Sequence, residues 1–399
     1  MKTIKVSELE SSRFSVNDLI VFSHLRWQFV TQRPQHILTR MAKSRKVIFV
    51  EEPIGADKSY KRTVKSIKDG NVTILQPRID NSRLALDLHP ILNTYITKLK
   101  VNKPIFWFYT AAYIDILNHF EPELTVYDCM DELNNFKGAS NELLKQERTL
   151  LSLADIVFTG GKSLFEAKSN FNSNIHCFPS SVDQKHFVKA LKKETKVALD
   201  LKTIPQPIVG YYGVIDERID LKLLEKTAEK LPTVSFVMIG PVVKIVPEDL
   251  PKANNIYYLG SKNYKKLPNY LKAFDICMMP FALNKSTKFI SPTKTLEYMV
   301  ALKPIISTPI YDVVRDYAKE VRIVRTAESF ANAITSYLTE TLDHRLQRQT
   351  LQQAIIDKTS WDTTVMDMNK LLEQALEERT EKTGSMVEQL PGNAKANSL

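Results

Sequence analysis

Short runs of Val, Ile, Leu, Phe and Tyr recur along the chain, separated by longer stretches whose apolar residues fall at helical spacing. The runs at residues 18–22, 47–50, 72–75, 105–109, 124–127 and 156–159 show no polar alternation, which is the pattern of strands buried on both faces. Between them, residues 33–43 and 141–153 put their apolar positions on one face of a helix. Strand and helix alternating in this way predict a parallel, doubly wound α/β sheet. The pattern restarts at Pro207, with expected strands at 208–212, 235–239, 255–259, 276–279, 304–307 and 322–324. The chain therefore reads as two Rossmann-like domains.

The expected organisation is an N-terminal domain over 1–190, a linker over 191–206, and a second domain over 207–358. The Lys-rich stretch around Lys189, Lys192, Lys193 and Lys196, followed by Pro205 and Pro207, interrupts the pattern at the boundary. Residues 359–376 carry an apolar helical stripe and read as a C-terminal helix able to cross back. Residues 377–399 lose that stripe and are expected to be disordered.

Composition narrows the class. With 399 residues, 43% hydrophobic and 25% charged, the chain reads as a soluble globular protein. It contains no apolar run of the roughly 20 residues that span a bilayer and no apolar leader near Met1, so a cytoplasmic protein is expected. Cys129, Cys177 and Cys277 are too few and too scattered for a disulfide framework or a zinc site. Neither a P-loop nor a GxGxxG fingerprint is present, which argues against a P-loop NTPase and an ordinary NAD enzyme.

The net charge is +10, and residues 1–100 hold 18 Lys and Arg against 9 Asp and Glu. Such an excess suits an acidic partner, including the inner face of an anionic membrane. Lys58, Lys61, Arg62, Lys65 and Lys68 could lie on a helix resting on lipid. A β-hairpin turning at Asp69 and Gly70 with a solvated basic face is the stronger reading.

Candidate chemistry concentrates at residues 289–304. Ser291 suits an N-cap and Pro292 the first helical position, so free amides there would meet an anion. Lys294 adds a point charge suited to a diphosphate. Glu297, three residues on, shares its face and could accept ribose hydroxyls, or the two side chains could simply pair.

Here the chain resembles the GT-B glycosyltransferases, in particular the group 1, family 4-like branch. The likeness runs from about residue 20 to 308. It includes Gly210-Tyr-Tyr-Gly213, Ile239-Gly-Pro241, Tyr257-Tyr-Leu-Gly260 and Ala273-Phe-Asp-Ile-Cys-Met-Met-Pro280. The chain is also similar to the teichuronic acid biosynthesis glycosyltransferases of Gram-positive bacteria.

The resemblance implies two domains facing a cleft. A nucleotide-sugar donor, UDP-linked by family habit, would bind through Gly213, Arg218, Tyr258, Ser291, Thr293, Lys294 and Glu297. A saccharide or lipid-linked acceptor would meet the loop after the first strand, at His24, Arg26, Trp27 and Arg33. Residues 124–132 place Asp128, Asp131 and Glu132 just past a strand's carboxyl end, where inverting relatives keep a base. Asp131 is the first choice and Asp128 the second, with helix capping as the bland alternative.

No metal, no cofactor beyond the substrate nucleotide and no nucleic acid are expected, and the implied setting is cell-wall or surface polysaccharide synthesis. One departure stands out. Retaining relatives carry two glutamates eight positions apart, but eight before Glu297 stands Phe289, so the stereochemical outcome is open. A sugar-nucleotide epimerase or hydrolase of the same fold, or a non-catalytic two-domain binder of sugars or nucleic acid, are the alternatives.

Overall fold

A computed structural model describes residues 17–55, 63–136 and 140–388. The N-terminal sheet contains β1 (Leu19–Phe22), β2 (Val47–Val50), β3 (Ile54–Gly55), β4 (Thr63–Asp69), β5 (Val72–Ile79), β6 (Ile105–Phe108), β7 (Thr125–Cys129), β8 (Ile156–Thr159) and β9 (Ile175–Cys177). The C-terminal sheet contains β10 (Ile208–Tyr212), β11 (Ser235–Ile239), β12 (Ile256–Tyr258), β13 (Ile276–Met279), β14 (Ile305–Ser307) and β15 (Arg322–Ile323).

Twelve helices are described: α1 (Arg33–Met41), α2 (Leu84–Leu99), α3 (Asn141–Leu153), α4 (Lys162–Lys168), α5 (Gln184–Phe187), α6 (Leu221–Lys230), α7 (Leu267–Ala273), α8 (Lys294–Val300), α9 (Tyr311–Tyr317), α10 (Ala327–Leu338), α11 (Leu342–Ile356) and α12 (Trp361–Glu388).

Strand order in the first sheet is β3-β5-β2-β1-β6-β7-β8-β9, and in the second β12-β11-β10-β13-β14-β15. Both orders reverse beside the first strand of their sheet, and the main ladders are parallel. Ligands in such sheets bind beyond the carboxyl ends of the strands at that reversal. The central strands are apolar throughout because both faces are covered. In β1, Leu19 and Val21 enter one core and Ile20 and Phe22 the other.

One expectation on the N-terminal side holds, and two further along the chain need correcting. The basic segment forms the hairpin of the stronger reading over residues 63–69: β4 pairs antiparallel with β5, and Gly70 takes the left-handed turn at φ +56°. Lys58, Lys61 and Arg62 lie outside the described residues. The tail expected to be disordered from residue 377 continues α12 as far as Glu388, because a helix needs no apolar stripe once its first turns are docked.

Those first turns bury Trp361, Val365, Met368, Leu372 and Ala375 in the N-terminal core, against Ile37, Leu38 and Met41 of α1. Thus α12 crosses back to the first domain, held further by Arg40 Nε to Asp362 at 2.8 Å and Arg379 Nη1 to Asp155 at 3.1 Å. The packing boundary falls earlier than residue 190, since Val182, Phe187 and Ala190 already belong to the C-terminal core. Among the described residues no helix is long and apolar enough to cross a membrane.

Candidate active site

The cleft between the domains is lined from the first by Gln32, Arg33, Met130, Asp131, Gly160 and Ser180, and from the second by Tyr211, Gly213, Arg218, Phe281, Thr293, Lys294 and Glu297. These residues come from the start of α1, the carboxyl ends of β7, β8, β10 and β13, the stretch after β9 and the start of α8.

On the C-terminal side, α8 begins at Lys294 and not near Ser291. Thr293 holds the cap position in helical geometry (φ −52°) without a side-chain cap, so Ser291 caps nothing. Ser291 instead offers its carbonyl to Ser180 Oγ of the other domain, and Thr293 Oγ1 lies 3.4 Å from the same hydroxyl. Both residues therefore serve the domain seam as well as the cleft. With only seven residues, α8 has a weaker terminal dipole than a long helix, which leaves Lys294 as the main positive group.

The Lys294 ammonium lies 5.4 Å from the ring centroids of both Tyr211 and Phe281. Although part of Lys294 faces the cleft, protein surrounds the ammonium on most sides. Burial pushes its pKa down to about 8, opposed by Glu297 and reinforced by Arg218. Glu297 is buried, and burial pushes its carboxyl up to about 7 while Lys294 pulls it back.

Gly213 sits beneath the lysine at φ +146°, a conformation that side chains rarely take. A Cβ there would stand 3.0 Å from Lys294 Cε, 3.2 Å from its Nζ and 2.8 Å from the Tyr211 hydroxyl. Arg218 reaches the cleft with its charge already engaged. Its Nε donates to both oxygens of Asp216 at 3.0 and 3.1 Å, and Nη2 donates to Oδ2 at 2.7 Å. Burial alone would lower its pKa, but Asp216 and Asp131 outweigh that and raise it. Tyr258, expected at the donor, ends edge strand β12 and is not among the cleft residues; its buried hydroxyl has no hydrogen-bond partner among the described residues.

On the N-terminal side, β7 delivers Asp131 to the cleft and keeps Asp128 out of it. Burial pushes Asp131 up to about 6, opposed by the Arg218 charge and aided by Asp216. Asp128 is fully buried and accepts from Arg33 Nε at 3.0 and 3.1 Å, with Arg33 Nη2 also 3.0 Å from its Oδ1, while Arg33 Nη1 donates to the Phe178 carbonyl at 2.7 Å. The second-choice base is thus a structural partner. Arg33 reaches the cleft wall mostly spent on that pair. Glu132 turns away to Lys168 at 2.6 Å, which also meets Glu147 at 3.0 Å.

The other acceptor candidates do not line the cleft. Trp27 is core: its ring packs 4.9 Å from Phe49, and Nε1 donates to Asp69 at 2.8 Å. Arg26 pairs with Glu51 at 3.4 Å and with the Glu52 carbonyl. His24 is pushed down to about 4 by burial and is neutral at physiological pH.

Sequence reasoning missed the two aromatic rings flanking Lys294 and the contact that Ser180 makes across the domain seam. Tyr211 stood in the Gly210–Gly213 string, so its signal was present. The partner of Ser180 gave none, since it lies 111 residues away. Among the described residues no group of three or more His, Cys, Asp or Glu side chains could hold a metal ion.

Two Rossmann-like domains with a crossing C-terminal helix and a charged cleft between them constitute the GT-B fold. Residues 206–340 match the family model described as "Glycosyl transferases group 1". Among curated proteins the chain is similar to TuaH of Bacillus subtilis (strain 168), whose name assigns it provisionally to teichuronic acid biosynthesis as a glycosyltransferase. The two are 20% identical over 218 residues, covering 51% of this chain and 54% of TuaH, so the match spans about half the length of that relative.

Solved structures agree in fold. Sucrose-phosphate synthase from Thermosynechococcus elongatus superposes at a TM-score of 0.67, with 14% identity over 91% of this chain and 100% of that one. An E. coli trehalose-6-phosphate structure bound with UDP-2-fluoro glucose gives 0.66, with 14% identity over 89% and 99%. Trehalose 6-phosphate synthase of Burkholderia multivorans gives 0.62, with 12% identity over 95% and 100%.

Proposed function

We propose that this chain transfers a glycosyl group from a nucleotide-sugar, held on the C-terminal domain, to a hydroxyl of a saccharide or lipid-linked acceptor held against the N-terminal domain. The observation that carries the reading is the meeting of Lys294 and Glu297 with Asp131, from opposite domains, in one cleft.

In this mechanism the acceptor oxygen attacks the anomeric carbon while its proton passes to Asp131. The bond from that carbon to the diphosphate breaks, and its electron pair leaves with the diphosphate. Lys294 lies where the growing negative charge is neutralised, with Arg218 behind it. A carboxyl at about 6 is still ionised at neutral pH and is a stronger base than an ordinary aspartate. Glu297 accepts from the ribose hydroxyls.

UDP is the nucleotide we assign. The E. coli neighbour's UDP-sugar supports it by fold alone, and the likeness to TuaH supports a role in surface polysaccharide synthesis. Incubation of the protein with labelled UDP-sugars, with and without oligosaccharide or lipid-linked acceptors, tests the proposal. Acceptor-dependent release of UDP supports transfer, and release without acceptor supports a hydrolase.

A further inference from the structure

The segment that leads into the C-terminal sheet carries a chemistry that the cleft does not use. Residues 185–202 hold six lysines against two carboxylates, and residues 262–272 hold four lysines against none, so these two short segments together carry a net +8. They form one surface. Ala198 N donates to the Asn269 carbonyl at 3.3 Å, Asn269 Nδ2 donates to the Lys196 carbonyl at 2.6 Å, and Lys272 Nζ reaches the Lys192 carbonyl. Asp200, one of the two carboxylates, is occupied by Lys262 at 2.8 Å and the Tyr270 hydroxyl at 3.0 Å.

Among the described residues no carboxylate lies within ion-pair distance of Lys189, Lys193, Lys196, Lys202, Lys265 or Lys266. In their midst Leu199 is 78% exposed, and Leu191, on the turn leading in, is 47% exposed. Lys196, Leu199, Lys202, Lys265 and Lys266 border one groove of about 830 Å³, and none of them lines the interdomain cleft.

We infer that this face of the C-terminal domain docks the protein on an anionic lipid bilayer. Unpaired lysines around a projecting leucine are what such a surface selects: the ammonium groups meet lipid phosphates, while the aliphatic tips enter the headgroup boundary and leave water. A soluble polyanion would use the lysines but leave Leu199 hydrated, so the leucine separates the two partners. This face is independent of the cleft, and its failure would leave the transfer reaction untouched.

Co-sedimentation of the full chain with phosphatidylcholine vesicles, with and without phosphatidylglycerol, tests it. Binding should require phosphatidylglycerol and fall with added salt. Replacing Lys193, Lys196, Lys265 and Lys266 together by Ser should weaken partitioning by roughly a hundredfold or more. Leu199→Ser should weaken it by about threefold or more with the charge intact. Lys65→Ser with Lys68→Ser on β4 should leave it unchanged.

All five lysine and leucine sites lie on the surface, and an unchanged melting temperature checks that each variant is folded. Equal recovery with neutral vesicles overturns the inference, as does wild-type binding by the four-lysine variant. An effect confined to the β4 variant moves the surface to the hairpin and overturns it too. Binding of soluble polyphosphate that is indifferent to Leu199→Ser would replace the bilayer with a polyanion.

Discussion

Lys294 rests directly over Gly213, so close that a single added methyl at Gly213 would sit 3.2 Å from the ammonium. This contact joins the end of β10 to the start of α8 and fixes the cation against the cleft. Gly213→Ala should both strain the backbone, at about 1–3 kcal/mol for an unfavourable φ, and displace the ammonium. We expect UDP affinity to fall by about tenfold or more, and calorimetric titration alongside thermal melting separates that loss from lost stability.

Asp131→Asn should leave nucleotide affinity intact while turnover falls by roughly 100- to 10,000-fold, the contribution of a positioned base. Asp128→Asn should behave differently, because Asp128 holds Arg33 and does not touch the cleft. It should lower the melting temperature first. Turnover of the wild-type protein should survive EDTA, since Lys294 and Arg218 supply the positive charge beside the leaving group.

Asp131 and Lys294 set the outer limbs of the pH dependence, with Glu297, raised to about 7 by burial, between them. Asp131, raised to about 6, must be ionised to accept a proton, so kcat/KM should fall as pH drops through about 6. Lys294, lowered to about 8, must be protonated to hold a diphosphate, so UDP binding should weaken as pH rises through about 8. Lys294→Arg should keep its charge across that range and remove the alkaline loss. An alkaline limb that persists in this variant would assign the ionisation elsewhere.

Trp361 stacks on His36 with ring centroids 5.1 Å apart and planes 7° apart, pinning the crossing helix to α1. Its ring is fully buried. Trp361→Ala should cost about 3–5 kcal/mol, the range for deleting a buried tryptophan, and chemical denaturation measures it.

Strands such as Val47–Val50 and Ile208–Tyr212 were legible because burial on both faces demands unbroken apolar runs. β9 was not, since Ile175–Cys177 is a half-buried edge of three residues with too little pattern to read. At the site, Lys294, Glu297 and Asp131 could be placed because helix spacing and sheet topology are local or general rules. Asp128 and Trp27 were misplaced because their partners, Arg33 and Asp69, lie 95 and 42 residues away. A polar or aromatic side chain in a loop reads the same whether it faces ligand or a distant partner. The start of α8 was misjudged because Ser291 answers to the opposite domain and not to its own helix.

The central claim is that the cleft at Lys294 receives the donor diphosphate, and titration of UDP into wild type, Lys294→Ala and Asp131→Asn by calorimetry addresses it most directly. Losing a charge-assisted contact of about 1.5–3 kcal/mol should weaken UDP binding by Lys294→Ala by roughly tenfold or more, while Asp131→Asn binds like wild type. Equal UDP affinity in wild type and Lys294→Ala would place the donor elsewhere and contradict the assignment.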